Sequence, residues 1–324
     1  MKAILCPKYG APDVLEYTDI EMPTIGDDQM LIRVRAASVN PADWRPMRGE
    51  PALFVRPIMG LRKPNNPRMG IDLAGQVQAV GKNVTEFKPG DEVYGASKGA
   101  FAEYVSSYGK SLVPKPANLT FEQAAAVPVA AITALQALRD HGQLQPGQNV
   151  LINGAAGGVG TFTVQIAKAF GAHITAVCSA RNIDLVRSLG ADRVIDYTRE
   201  NFIRRDQRYD LIVDNVGNCS LRACLRVIHP HGRFVVAGGP KGRWLAPMMP
   251  FIKVKVLSPF VSQKLIGFIA TTNKPDLLFL KELIEANTLT PVVDRCYPLS
   301  QVADAIRYAE TGHARGKIVI TPEN

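Results

Sequence analysis

Asn149 to Asn182 reads NVLINGAAGGVGTFTVQIAKAFGAHITAVCSARN, and two features of it are suited to chemistry. The first is Gly154-Ala155-Ala156-Gly157-Gly158-Val159-Gly160, entered directly from the apolar run Val150-Leu151-Ile152. Val159, Phe162, Ile166 and Phe170 then keep a helical spacing that stops before Gly171. Small residues between a strand and a helix let the backbone approach a pyrophosphate, and the helix start supplies unpaired N–H groups and a partial positive charge. The pattern departs from G-x-G-x-x-G only at its first glycine, where Ala155 stands, and keeps Gly157 and Gly160.

The second feature is the end of the next strand. A dinucleotide fold that prefers NAD carries an acid there for the adenosine ribose, whereas this chain has Cys178-Ser179-Ala180-Arg181-Asn182. Ser179 can donate a hydrogen bond to a 2′-phosphate and Arg181 can grip it as a fork or stack on adenine, so the expected cofactor is NADP(H). Tyr197, ending the next strand in VIDYT, extends that pocket. The competing reading makes Arg181 a solvated residue at a helix start, where cations are disfavoured unless an anion is near.

These residues need elements to hold them. From Phe121 onward strands alternate with helices: Val150–Asn153, Val159–Phe170, Ile174–Cys178, Asn182–Leu189, Arg193–Ile195, Leu211–Asp214, Leu221–Ile228 and Phe234–Ala237. That alternation predicts βαβ units and a doubly wound parallel sheet. The segment before it, Phe121–Gly142, reads as helical with a break at Pro128. The first third instead alternates with period two in Met30–Ser38, Ile71–Gly81, Asp91–Gly95 and Phe101–Ser106, which predicts a small closed or nearly closed β domain. Between two of these, Gly49–Met69 has four prolines, four basic residues and no clear period, and reads as a long loop near a site. The C-terminal part reads as two helices and a closing strand.

Composition bounds the partners. A chain of 324 residues, 46% of them hydrophobic, is long enough for two domains. Its formal charge of +9 comes from 38 Lys and Arg scattered singly rather than clustered among aromatics, so nucleic acid is not expected. No run reaches the roughly 18 apolar residues of a membrane span, and the N-terminus has neither a secretory nor a transit pattern. Cys6, Cys178 and Cys296 lie in or beside strand-like runs, which suits reduced thiols in a cytoplasmic protein.

Over essentially its whole length the chain resembles the medium-chain dehydrogenase/reductase superfamily, in its zinc-free quinone oxidoreductase-like branch. The resemblance rests on AASVNPADW (36–44), GIDLAGQVQAVGKNVTEFKPGDEVYG (70–95), GAFAEY (99–104), AAAVPVAAITALQAL (124–138), the glycine turn with its helix, and GHARGKIVI (312–320). It implies a GroES-like barrel domain, residues 1–122 plus 265–324, with a Rossmann NADP-binding domain, residues 123–264, inserted and the cofactor in the cleft. Zinc-dependent relatives carry a metal-binding Cys where Asn40 stands and a His where Ile71 stands, and a four-Cys lobe absent here. An amide and a hydrocarbon cannot replace a thiolate and an imidazole, so no metal site is expected. Without a Lewis acid to make an alkoxide, alcohol oxidation is hard, while hydride donation to an electron-poor carbon is not.

The resemblance also implies site residues. Asn40 and Thr133 would contact the nicotinamide or its ribose; Gly154, Ala156, Gly157, Gly158, Val159 and Gly160 would cradle the pyrophosphate; Ser179, Arg181 and Tyr197 would hold the 2′-phosphate end. Asn215-Val216-Gly217 and Gly238-Gly239, each after a strand, would lie at the ligand-binding carboxyl edge. Arg315 and Lys317 would reach the cofactor from the other domain or else form a solvated turn. Relatives often have a Tyr soon after the Asn40 motif; here Asp43 and Trp44 stand in that neighbourhood as catalytic candidates, Trp44 either as a stacking wall for a planar acceptor or as core.

Two further stretches invite a role. His229-Pro230-His231 lacks a third ligand and is not expected to bind metal. Arg243–Asn273, apolar, basic and broken by prolines, is expected at a homodimer interface and cleft rim, with peripheral attachment to an anionic membrane as the alternative and Trp244, Phe251, Phe260 and Phe268 as contacts either way. The expected activity is NADPH-dependent reduction of quinones or α,β-unsaturated carbonyls. The alternatives are a ketone or aldehyde reductase and a non-catalytic NADPH-binding protein.

Overall fold

The strand Met30–Ser38 buries Met30, Ile32, Val34 and Ala36 while Arg33 and Arg35 face solvent, the alternation that one covered sheet face demands. From Ala36 to Asn40 every residue is buried, so the strand runs inward at its end and carries Asn40 into the interior. A computed structural model describes residues 1–203, 207–218, 220–240 and 246–322. The chain divides into two compact units, Met1–Ile132 with Thr272–Asn324, and Thr133–Thr271.

In the first unit a seven-stranded sheet runs Val293–Pro298, Lys317–Thr321, Met30–Ser38, Asp72–Val80, Glu92–Ala96, Leu112–Pro114, with Tyr104–Ser107 also paired to Met30–Ser38. The C-terminal strand joins the N-terminal sheet through Val319 opposite Ser38 and Ile320 opposite Ala37, which is why the end of the chain folds with its beginning. Gly75 is required where two strands cross closely: a Cβ there would lie 2.3 Å from the Arg33 carbonyl oxygen. The core gathers Ile32, Val34, Leu73, Val77, Phe101 and Ile318.

The second unit is a six-stranded, all-parallel sheet in the order Arg193–Asp196, His173–Cys178, Asn149–Asn153, Tyr209–Asp214, Ile228–Val236, Lys264–Gly267. Strand order reverses direction at Asn149–Asn153, so the carboxyl ends of that strand and of Tyr209–Asp214 flank the switch point where such sheets bind ligands. Val150, Leu151 and Ile152 are fully buried, as a strand covered on both faces must be.

Three expectations need correction. Residues 123–132 fall in the first unit, where the helix Phe121–Ala125, capped by Thr120 and Gln123, packs on the strands Met30–Ser38 and Asp72–Val80, and residues 265–271 fall in the second, where Lys264–Gly267 ends the parallel sheet. Gly49–Met69 is not all loop but holds the helices' continuation Ala52–Met59, entered through Pro51, a residue whose fixed φ suits a helix start. The HPHGR stretch lies inside the strand Ile228–Val236 rather than between elements; His231 takes a left-handed backbone (φ 67°), and a register shift between Tyr209 and Leu211 on the neighbouring strand absorbs the extra residues.

Candidate functional site

The strand Asn149–Asn153 leaves the sheet through Gly154, whose φ of 79° opens the turn, and the helix Gly158–Ala169 begins four residues later with Gly157 as its cap. A Cβ on Gly160 would lie 2.0 Å from the Gly154 carbonyl oxygen, so only glycine lets the helix sit this close to the turn. Ala155 is fully buried, and its N–H donates to the Val177 carbonyl at 3.0 Å. The first-turn N–H groups of Gly158, Val159 and Gly160 have no helix carbonyl within reach, and a Cβ on Gly157 would meet nothing nearer than 3.7 Å. Ala156 completes the turn, nearly buried.

Beside it, Asp196 pairs with Cys178, and the Tyr197 N–H donates to the Cys178 carbonyl at 3.1 Å. This register sets exposed Tyr197 alongside Ser179, whose Oγ accepts from Asn182 Nδ2 at 3.2 Å, with exposed Arg181 in the same short turn. The acid in this corner is committed elsewhere. Asp196 Oδ1 accepts from the Thr198 N–H at 3.0 Å and the Thr198 hydroxyl at 2.8 Å, and the backbone bond holds its carboxyl below the ordinary range. Burial pushes the Cys178 thiol up to about 11, which leaves it unreactive.

Across the switch point, Asp214 Oδ1 accepts from the N–H groups of Val216 (3.1 Å) and Gly217 (2.9 Å) and from Asn153 Nδ2 (2.9 Å). It thereby folds Asn215-Val216-Gly217 against Gly238-Gly239, where a Cβ on Gly238 would lie 2.0 Å from the Asn215 carbonyl oxygen. Both Asn215 amide atoms are buried without a partner. A buried amide with nothing to bond is costly. Open helix N–H groups, a cation-bearing corner whose acid is bonded to Thr198, and an orphaned amide at the switch point together fit a phosphorylated dinucleotide.

In the first unit Asn40 and Lys317 meet in a buried network. Asn40 Nδ2 donates to Asp72 Oδ2 at 2.8 Å and to the Ser38 carbonyl at 3.3 Å, while its Oδ1 accepts from Lys317 Nζ at 2.5 Å. Lys317 also donates to the Val39 carbonyl at 3.2 Å and lies 3.6 Å from Asp72 Oδ2. Asp72 further accepts from the Ser38 hydroxyl at 3.1 Å and the Val129 N–H at 3.2 Å. Asp43 Oδ2 takes the Asn40 N–H at 2.7 Å, closing a capping box on the helix Pro41–Arg48. Burial, and then the charge of Asp72, push the Asp43 carboxyl up to about 8; burial also raises Asp72 and lowers Lys317.

Lys317 is therefore not a solvated turn residue; the strand Lys317–Thr321 buries it against Asn40. Trp44 is core, 7% exposed and grouped with Met47, Val302 and Ile306. Arg315 is exposed and its N–H donates to Asp294 Oδ2 at 3.0 Å. Thr133 is buried on the helix Pro128–Gln136. Trp244 lies outside the described residues; Phe260 is exposed, Phe251 half-buried, and Phe268 stacks obliquely on His141 with ring centres 4.3 Å apart. Among the described residues no three His, Cys, Asp or Glu side chains are grouped to hold a metal ion.

Three acids that organise these sites, Asp72, Asp196 and Asp214, escaped the sequence reading of site residues. Each ends or begins an apolar strand, in GIDLAG, VIDYT and LIVDNVG, and an isolated acid there was the available signal.

Residues 26–117 match the family described as alcohol dehydrogenase GroES-like domain, and residues 189–320 the family described as zinc-binding dehydrogenase. A chloroplastic NADPH-dependent alkenal/one oxidoreductase of Arabidopsis thaliana is 36% identical, the match covering 99% of this chain and 80% of that protein. The 2-methylene-furan-3-one reductase of Solanum lycopersicum is likewise 36% identical, covering 99% and 79%. The structure of the quinone oxidoreductase from Coxiella burnetii superposes with a TM-score of 0.87 at 31% identity over 99% of both chains. The glycine turn, the paired sheets and the near-complete coverage converge: the chain belongs to the medium-chain dehydrogenase/reductase superfamily, in its quinone oxidoreductase-like branch.

Proposed function

We propose that this protein is a zinc-independent oxidoreductase that uses NADPH to reduce quinones or α,β-unsaturated carbonyl compounds. The observation that carries the zinc-independent part is Lys317 Nζ, 2.5 Å from Asn40 Oδ1 and 3.6 Å from Asp72. Asn40 stands where zinc-dependent relatives carry a thiolate, and here its amide is bound to an ammonium, so a divalent cation would meet a positive charge instead of ligands. The nature of the acceptor follows: an electron-poor carbon takes a hydride without a Lewis acid. The names of the relatives, an alkenal/one oxidoreductase, a methylene-furanone reductase and a quinone oxidoreductase, support the same class.

Bound NADPH supplies a hydride from nicotinamide C4. The chain's own part is binding and placement. The N–H groups of Gly158, Val159 and Gly160 hold the pyrophosphate, Ser179, Arg181 and Tyr197 the 2′-phosphate, and the Asn215 amide offers a donor and an acceptor at the switch point. The reacting carbons must come within about 3 to 3.5 Å with water excluded. The enolate or hydroquinone oxygen would take its proton from solvent.

A homodimer is part of the proposal. The strand Lys264–Gly267 ends the parallel sheet with one side unpaired among the described strands, and Val256, Phe260 and Ile269 near it are 59%, 80% and 81% exposed. Reduction of an alkenal with NADPH deuterated at C4 tests the reaction: label at the β-carbon of a saturated aldehyde supports conjugate reduction, and label at the carbonyl carbon of an unsaturated alcohol replaces it with direct carbonyl reduction.

A further inference from the structure

The helix Ala52–Met59 wears its apolar side outward. Leu53, Phe54, Ile58 and Met59 are 57%, 44%, 79% and 39% exposed, and Leu61 just beyond is 72% exposed. Positions 53 and 57, and 54 and 58, repeat at four-residue spacing and so form one stripe, with exposed Leu61 following just past the Gly60 cap. The inward side is held by a cation instead: the Arg56 guanidinium lies 5.2 Å from the Tyr9 ring centre, and the Tyr9 hydroxyl donates to the Gly60 carbonyl at 2.6 Å. A helix covering a core has the opposite arrangement. The stripe is bordered by exposed Arg62, Lys63 and Arg68, and no Asp or Glu occurs from Pro51 to Gly70.

We infer that this helix is a docking surface for an anionic lipid bilayer, its stripe entering the headgroup boundary while Arg62, Lys63 and Arg68 meet lipid phosphates. The charge pattern decides among occupants. A second copy meeting this stripe about a two-fold axis would bring both sets of cations together with no acid from the segment between them. A negatively charged lipid surface satisfies both features at once, and one short apolar segment combined with basic residues is the pairing that reversible interfacial binding needs. Among the described residues no helix is long and apolar enough to cross a membrane, so the attachment is peripheral. The inference goes beyond the proposed reaction and does not depend on it.

The test is flotation of the full chain with vesicles of phosphatidylcholine alone or mixed with phosphatidylglycerol, at low and high salt. The protein is expected to float with the mixed vesicles only and to be released by salt. Both L53S/I58S/L61S and R62E/K63E should lower the bound fraction on the order of ten-fold, with unchanged circular dichroism and NADPH binding as proof of folding. Failure to bind the anionic vesicles, or variants that bind as the parent does, overturns the inference. So does L53S/I58S/L61S lowering the oligomeric mass in the absence of lipid while leaving flotation unchanged, which would make the stripe a contact between copies.

Discussion

Lys317 Nζ lies 2.5 Å from Asn40 Oδ1 although 277 residues separate them in the chain. The bond joins the C-terminal strand to the end of Met30–Ser38 and fixes the Asn40 amide, whose other end is fixed by Asp72 and the Ser38 carbonyl. Asp72, 3.6 Å from this ammonium, draws on it for charge compensation. Replacing Lys317 with Met should therefore destabilise the protein by about 3–5 kcal/mol, the cost of leaving a buried charge unpaired. Urea unfolding curves check this, and a loss under about 1 kcal/mol would mean that the carboxyls are neutral without it.

Asp43 gives the protein a pH signature. Its folded pKa of about 8 exceeds the ordinary aspartate value near 3.9, so the native state holds a proton that the unfolded state releases. Its contribution is fully present below about pH 4 and is lost as pH rises toward 8. Stability measured from pH 5 to 8 should fall, and D43N, which keeps an acceptor for the Asn40 N–H, should flatten the slope by on the order of 1 kcal/mol per pH unit. Identical slopes for parent and variant would remove Asp43 as the source.

At the adenosine corner, Arg181→Ala removes the cation proposed for the 2′-phosphate. The preference for NADPH over NADH in kcat/KM should drop by about ten- to a hundred-fold, through KM for NADPH, while NADH kinetics change little. An unchanged preference would exclude Arg181 from that pocket.

Gly160→Ala places a Cβ against the Gly154 carbonyl oxygen and must push the helix from the turn. Overpacking of this kind costs about 1–3 kcal/mol, and NADPH affinity should fall because the first-turn N–H groups move with the helix. Isothermal titration with NADPH, set beside the melting temperature, separates the two effects.

How much of this the sequence announced depended on the range over which each feature is determined. Gly154 to Gly160 was legible because the demand for glycine arises within seven residues, and the corner from Ser179 to Tyr197 because two adjacent parallel strands end in register. Lys317 was not legible. Its burial comes from a strand pairing across nearly the whole chain, and a lysine in HARGK looks like any solvated turn until Asn40 and Asp72 surround it. Trp44 likewise belongs to a core that also gathers Val302 and Ile306 from the far end of the chain. The helix Ala52–Met59 was hidden by Pro51 and Pro57, which read as loop punctuation although one precedes the helix and the other sits inside it.

The central claim is hydride transfer to an electron-poor acceptor without zinc, and the most direct measurement is NADPH consumption by chelator-treated protein offered a quinone, an alkenal, an alkenone and a saturated ketone in turn. Turnover with the quinone or the conjugated carbonyls, none with the saturated ketone, and no gain on adding zinc is the predicted result. Tight NADPH binding with no turnover on any of the four, or activity that returns only with zinc, would contradict it.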